Sequence, residues 1–286
     1  MINLLAHALL TPALLAVVSF AARRFGPAVG GLLAGLPLLS GPVVVFAALD
    51  HGAAFAAGAA AATVGGALSA TLLTWTYARM ATRSGALSCL TAACVVFALS
   101  GAAQEYAHLG LASTVALALT CQFAALRWWP RRADALARPV DSPQPPQPPQ
   151  RAGRLLGRMA LVAVYALAAT SAVGAVGPQL TGLLLPFPLL VATETVHLHR
   201  TVDGGAAREF LRSVTTSQFA ALAWWVALSV LLPRLGTATA VLASVLLALA
   251  VQLAVAAVTA VMAASRDRVA VERSHLSPLS QATHTH

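Results

Sequence analysis

Residues 26–39 read GPAVGGLLAGLPLL, and residues 177–190 read GPQLTGLLLPFPLL. At a constant offset of 151 positions, Gly26, Pro27, Gly31, Leu32, Leu33, Pro37, Leu38 and Leu39 recur as Gly177, Pro178, Gly182, Leu183, Leu184, Pro188, Leu189 and Leu190. Their order and spacing mark an internal repeat. Each copy is followed by a short loop with aspartate and glycine: Asp50, His51 and Gly52, then Asp203, Gly204 and Gly205.

Outward from these copies the chain is a series of apolar runs. It has 286 residues, 58% hydrophobic and 9% charged, against roughly 25% charged in an ordinary soluble domain. Crossing a hydrocarbon core of about 30 Å takes roughly 20 apolar residues as a helix. Runs of that size lie near 3–22, 27–48, 54–78, 86–104, 109–129, 156–175, 179–198, 211–232 and 237–264. The predicted fold is all-α: a polytopic membrane protein of about nine transmembrane helices. The first run has no positive segment before it and is followed by Arg23 and Arg24, so it reads as a span and not as a cleaved signal.

The expected organisation is a first four-span unit (1–104), a connector helix (105–130), a Pro/Arg-rich cytoplasmic linker (131–155), a second four-span unit (156–264) and a disordered cytoplasmic tail (265–286). The linker contains PQPPQPPQ at 143–150, which favours extended polyproline II. Because the connector crosses once, the two units enter the membrane in opposite directions, an inverted repeat of the kind found in many secondary transporters.

Loop charge supports the nine-span reading. All 18 basic residues are arginine. Seventeen of them (Arg23, Arg24, Arg79, Arg83, Arg127, Arg131, Arg132, Arg138, Arg151, Arg154, Arg158, Arg200, Arg208, Arg212, Arg266, Arg268 and Arg273) fall on one side, with Arg234 alone opposite. A missed or invented span would swap every later loop and destroy that asymmetry. The arginine-rich side is predicted to face the cytoplasm of a bacterial-type plasma (inner) membrane, with the N-terminus outside and the C-terminus inside. The net charge of +9 does not signal nucleic acid, since the arginines sit between apolar runs and form no basic stripe.

Proline inside a helix removes a backbone hydrogen bond, and glycine permits unwinding. Pro37, Ser40, Gly41 and Pro42 in one unit, and Pro186 and Pro188 in the other, therefore mark two corresponding broken or kinked helices. In lipid such breaks are tolerated where protein or a watery cavity satisfies the freed groups. One reading places a substrate between them; the other makes them kinks that shape packing.

GLLLPFP at 182–188, after a short first span and before a polar loop and a long third span, resembles the GlpM-like small inner-membrane proteins. That resemblance implies two fused four-span units, with 156–264 the closer copy, and an association with export of an acidic exopolysaccharide. The first copy departs from the pattern, with GLPLLSGP at 35–42.

Glu194 is the acidic residue placed well inside a span, flanked by Thr193 and Thr195 and followed by His197 and His199. Ionisable groups in a membrane are expensive, and so are functional hypotheses. Glu194, with Thr193, Thr195 and His197, is expected to contact substrate or carry a coupling proton. The competing expectation is a pairing with Arg200 or Arg208 nearer the cytoplasmic interface.

No metal site is expected. Glu105 with His108 and Glu194 with His197 share the E-x-x-H spacing of di-iron bundles, yet topology sets them toward opposite faces. Cys89, Cys94 and Cys121 lack CxxC spacing and read as packing thiols. Trp128 and Trp129 read as an interfacial anchor, Trp224 and Trp225 as cavity or core residues, and Gln122, Gln218 and Gln252 as interhelical hydrogen-bonding groups. Nucleotide, dinucleotide, zincin and hydrolase motifs are missing, so no enzyme and no cofactor is expected.

The leading expectation is a secondary transporter or exporter of a small solute. The alternative is a non-transporting membrane component supporting an envelope or polysaccharide-export complex. The expected partners are the lipid bilayer, a small-molecule or ion substrate, and a second copy of the chain or an envelope-complex component.

Overall fold

The computed structural model describes residues 19–34, 40–130 and 187–281, with isolated positions at 13, 16, 17, 157, 160, 161, 164 and 168. Most of the predicted first span, the linker, residues 169–186 with Pro186, and residues 35–39 with Pro37 lie outside the described residues. The regular elements described are all helical: α1 (Pro27–Ala34), α2 (Ser40–His51), α3 (Ala53–Met80), α4 (Ala86–Ala107), α5 (Leu111–Arg127), α6 (Leu189–Thr201), α7 (Gly204–Leu235) and α8 (Thr237–Gln281). Residues 19–25 are also helical. In hydrocarbon a helix satisfies its own backbone groups, which is why apolar runs of this length take that form.

Among the described residues, four helices are long and apolar enough to cross a membrane: α3, α4, α7 and the Thr237–Val261 part of α8. The most apolar stretches of α3 and α7 are 72% and 61% buried, against 28% and 17% for α4 and α8. So α3 and α7 form the centre, while α8 turns Leu242, Leu246, Leu249 and Leu253 outward, as suits a lipid-facing helix.

The central pair is antiparallel. Thr71 pairs with Gln218, Thr74 with Thr215, and Ala78 with Arg208, so rising numbers on α3 meet falling numbers on α7. Hydroxyls and amides line this seam. Thr71 Oγ1 donates to Gln218 Oε1 at 3.0 Å, the Thr74 and Thr215 hydroxyls are 3.0 Å apart, and Gln122 Nε2 of α5 donates to the Thr215 carbonyl at 2.9 Å. Between helices in lipid the hydrophobic effect supplies little, so packing and such bonds hold the pair together. A second seam joins α3 to α4 through Ser69, Ser100 and Gln104.

Two pairs of helix starts lie 151 positions apart. α3 begins at Ala53 and α7 at Gly204, 151 positions on; α4 begins at Ala86 and α8 at Thr237, again 151 on. The contacts follow suit, with α2 on α3 and α6 on α7, α4 on α6 and α8 on α2. The connector α5 packs on both α3 and α7.

The antiparallel pairings also sort the arginines. The ends of α3, α5 and α6 and the start of α7 share one end of the molecule, which carries Arg79, Arg83, Arg127, Arg200, Arg208 and Arg212; Arg234 closes α7 at the other.

Two helices depart from the sequence expectation. Of the run at 27–48, helix is described at Pro27–Ala34 and at Ser40–His51, with residues 35–39 outside the described residues. α7 starts at Gly204, seven residues before the expected span at 211, because Asp203 Oδ1 caps its first turn by accepting from the Ala206 amide. α8 runs on to Gln281 across most of the stretch expected to be disordered. Extending an existing helix needs no new nucleus, so polar residues there propagate it.

Candidate functional site

The second proline-marked stretch is described from Phe187 onward. Pro188 sits outside α6 as its N-cap, and its carbonyl accepts from the Ala192 amide at 2.7 Å. Proline has no N–H to donate and stands where the helix needs none. Phe187, just before it, meets Phe97 of α4 edge to face at 5.3 Å. The break thus fastens the start of α6 to α4.

Glu194 lies on the second turn of α6 and is 1% exposed. Ser19 Oγ donates to its Oε2 at 2.7 Å. That serine belongs to the first-span helix, 175 positions away. Ser19 is itself 1% exposed, and Arg23 Nε folds back on its carbonyl at 3.2 Å. The first-span helix turns into α1 at Gly26, whose φ of 95° is open to glycine. Across that hairpin Gly30 lies so close to Ala22 that an added Cβ would collide with the Ala22 Cβ. This contact holds the Ser19 helix tightly against α1, which in turn packs on α6 and α7.

The pairing of Glu194 with Ser19 comes from the N-terminal part of the chain. Arg208, the other residue weighed as a partner, reaches α3: its Nε donates to the Ala78 carbonyl at 3.1 Å and its Nη2 to Thr82 Oγ1 at 2.9 Å. It is 8% exposed and ties the start of α7 to the end of α3.

Thr193 and Thr195 flank Glu194 with their hydroxyls turned onto their own helix, donating to the carbonyls of Leu190 and Val191. Thr195 is buried; Thr193 and His197 are half-buried. Ser40, Gly41 and Pro42 form the first turn of α2, and α2 packs on α3 and α8. Of the predicted set, therefore, Glu194, Thr193, Thr195 and His197 share α6 with Pro188 at its start, while Ser40, Gly41 and Pro42 are carried by a helix whose main contacts lie elsewhere.

At the arginine-rich end a second constellation closes α6. Tyr77, 1% exposed on α3, places its hydroxyl 3.0 Å from His199 Nδ1, with the rings edge to face at 5.8 Å. His199 and Arg200 also line a cleft of about 370 Å³ with Gly85, Ala86, Leu87 and Ser88 of the first turn of α4. His199 lies past the apolar run that ends at Leu198; burial pushes its imidazole below the ordinary histidine value, with Asp203 opposing.

Among the described residues no group of three histidine, cysteine or carboxylate side chains is placed to hold a metal. α4 and α6 are antiparallel, so exposed Glu105 and His108 lie at the far end of α4 from His197. Trp224 and Trp225 fill the core, edge to face at 6.2 Å. Trp129 is buried and Trp128 is 66% exposed, dividing the anchor pair. Gln122 and Gln218 bond between helices as their positions in apolar runs suggested; Gln252 has buried amide atoms without a partner.

Sequence reasoning missed Ser19, Tyr77 and the threonines of the α3–α7 seam. Comparison with protein-family models, with curated proteins and with solved structures gives no match.

Proposed function

We propose that this chain is a secondary transporter or exporter of a small solute, built as an inverted repeat of two four-span units, with Glu194 as the coupling or substrate-contacting group. The observation that carries the reading is the buried carboxylate of Glu194, one turn and a half beyond a proline break and hydrogen-bonded to Ser19 from the other unit. A carboxyl group within an apolar assembly costs enough that its retention argues for use. Its position also fits. It stands where an element of one unit meets an element of the other, the place where inverted-repeat transporters bind and move.

The antiparallel α3–α7 pair and the 151-residue register of the helix starts support two oppositely inserted units. The gathering of arginines at one end supports a cytoplasmic location for that end.

On this reading Glu194 exchanges a proton, or a contact with a cationic or hydroxylated solute, as access alternates between the two faces. The test is flux in proteoliposomes, screening small solutes under an imposed pH gradient. Glu194→Gln keeps the shape and the hydrogen-bonding capacity but cannot ionise, and is expected to abolish gradient-driven flux. Flux and pH dependence unchanged in that variant would defeat the proposal and return the chain to the alternative, a membrane component supporting an envelope complex.

A further inference from the structure

The helix that carries Glu194 is short. Thirteen residues at about 1.5 Å each give roughly 20 Å, well under the thickness of a bilayer core. It is bounded by the Phe187–Pro188 break at one end and at the other by Val202, whose φ of −116° and ψ of −87° leave the helical region. Both ends therefore interrupt the helical backbone, so that a tilt of α6 as a unit bends no continuous helix.

Its neighbours are not so free. Gly204, at the start of α7, lies so close to the end of α3 that an added Cβ would collide with the Ala81 carbonyl oxygen, a backbone contact with no slack. Arg208 adds two bonds across the same junction. At the arginine-rich end α3 and α7 are one body, and movement falls to α6. Leu198 of α6 packs in the same apolar cluster as Tyr77, Ala207 and Phe210. The polar tie between the end of α6 and α3 is the contact of His199 with Tyr77.

We propose that Tyr77 and His199 form a gate at the arginine-rich end: the contact holds α6 against α3 and closes Glu194 from the cleft lined by His199, Arg200 and the first turn of α4. A buried tyrosine hydroxyl requires a partner, so the closed position is favoured over an open one in which the hydroxyl is stranded. One neutral hydrogen bond biases the equilibrium only modestly, which suits a part that opens in every cycle. Arg208, charged and bonded twice, suits a part that does not.

This inference rests on the reading of Glu194 as the working group, and the test keeps the two apart. In the full chain with Cys89, Cys94 and Cys121 replaced by alanine, Thr193→Cys places a thiol beside Glu194. Its rate of reaction with a small, polar, membrane-impermeant maleimide is measured from the arginine-rich side in oriented vesicles. Tyr77→Phe and His199→Leu are expected to raise the rate by about 2- to 10-fold, the loss of one hydrogen bond. His199→Gln restores a partner for the hydroxyl and keeps the rate near that of the parent. Thr71→Val loosens the α3–α7 seam without touching the pair and leaves the rate unchanged. An unchanged rate in Tyr77→Phe and His199→Leu, or an equal rise in Thr71→Val, overturns the gate. Flux lost in Glu194→Gln with labelling insensitive to Tyr77→Phe overturns the gate alone. Labelling raised in Tyr77→Phe with flux insensitive to Glu194→Gln supports the gate and overturns the coupling role.

Discussion

Among the described glycines, Gly204 is the position where an added methyl group meets the tightest contact. An alanine there meets the Ala81 carbonyl oxygen, a backbone atom that cannot swing aside. Gly204→Ala is expected to destabilise the protein by about 1–3 kcal/mol through overpacking, read as a lowered midpoint of thermal unfolding in detergent. The adjacent Asp203→Ala, losing the cap, is expected to cost about 1 kcal/mol. His199 adds a dependence on pH. Burial lowers its folded-state value, so its contribution to stability is complete above the ordinary histidine range near ~6.5 and is lost as pH falls through the folded value. The melting midpoint is expected to drop between neutral and mildly acidic pH, and to drop less in His199→Gln. These residues differ in how far the sequence exposes them. Glu194 stood out because a carboxylate in an apolar run has few innocent explanations. Ser19 did not, because a serine among alanines and valines looks like any small packing residue and its partner is 175 positions away.

Hydrogen bonds at the seams work at the scale of helices. Thr71→Val and Gln218→Leu each remove one side of the α3–α7 bond, and a double-mutant cycle is expected to give a coupling of about 0.6 kcal/mol, the usual size for such a bond in a membrane. A coupling near zero would mean that packing alone holds the pair. The starts of α3, α4 and α8 were legible within a residue or two, since loops with glycine interrupt the apolar runs at Gly52, Gly85 and Gly236. The start of α7 was not. Arg208, Glu209 and Arg212 make its first turns look like a loop, while the Asp203 cap and the burial of Arg208 against α3 keep them helical. Propensity within a window cannot report a partner 130 positions away.

The arginine asymmetry belongs to the whole molecule, and so does its test. On the proposed orientation, Ser84→Cys in the α3–α4 turn and Val202→Cys in the α6–α7 turn react with an impermeant thiol reagent only from the cytoplasmic side. His108→Cys and Leu235→Cys react only from the outside. The same side for Ser84→Cys and His108→Cys would refute the assignment of α4 as a crossing helix, and the same side for Ser84→Cys and Leu235→Cys would refute that of α7. The all-helical class, with several apolar helices, was the most legible part of this chain, because hydropathy acts over tens of residues. The site was less so. It depends on which side chains come within 3 Å of each other, and the proline pattern brought attention to α2 as readily as to α6.

On the proposed repeat, the 151-residue register also sets the two halves side by side. Gly204 answers to Ala53, and Glu194 to Val43. Ala53 is half-buried and carries its methyl group, whereas Gly204 has no room for one. The halves are therefore not equivalent: one supplies the acid and the close backbone contact, the other the serine that meets the acid. Two copies of the first half would carry no acid at this place, since Val43 stands where Glu194 does. A chain that holds both halves brings acid and serine together in every molecule.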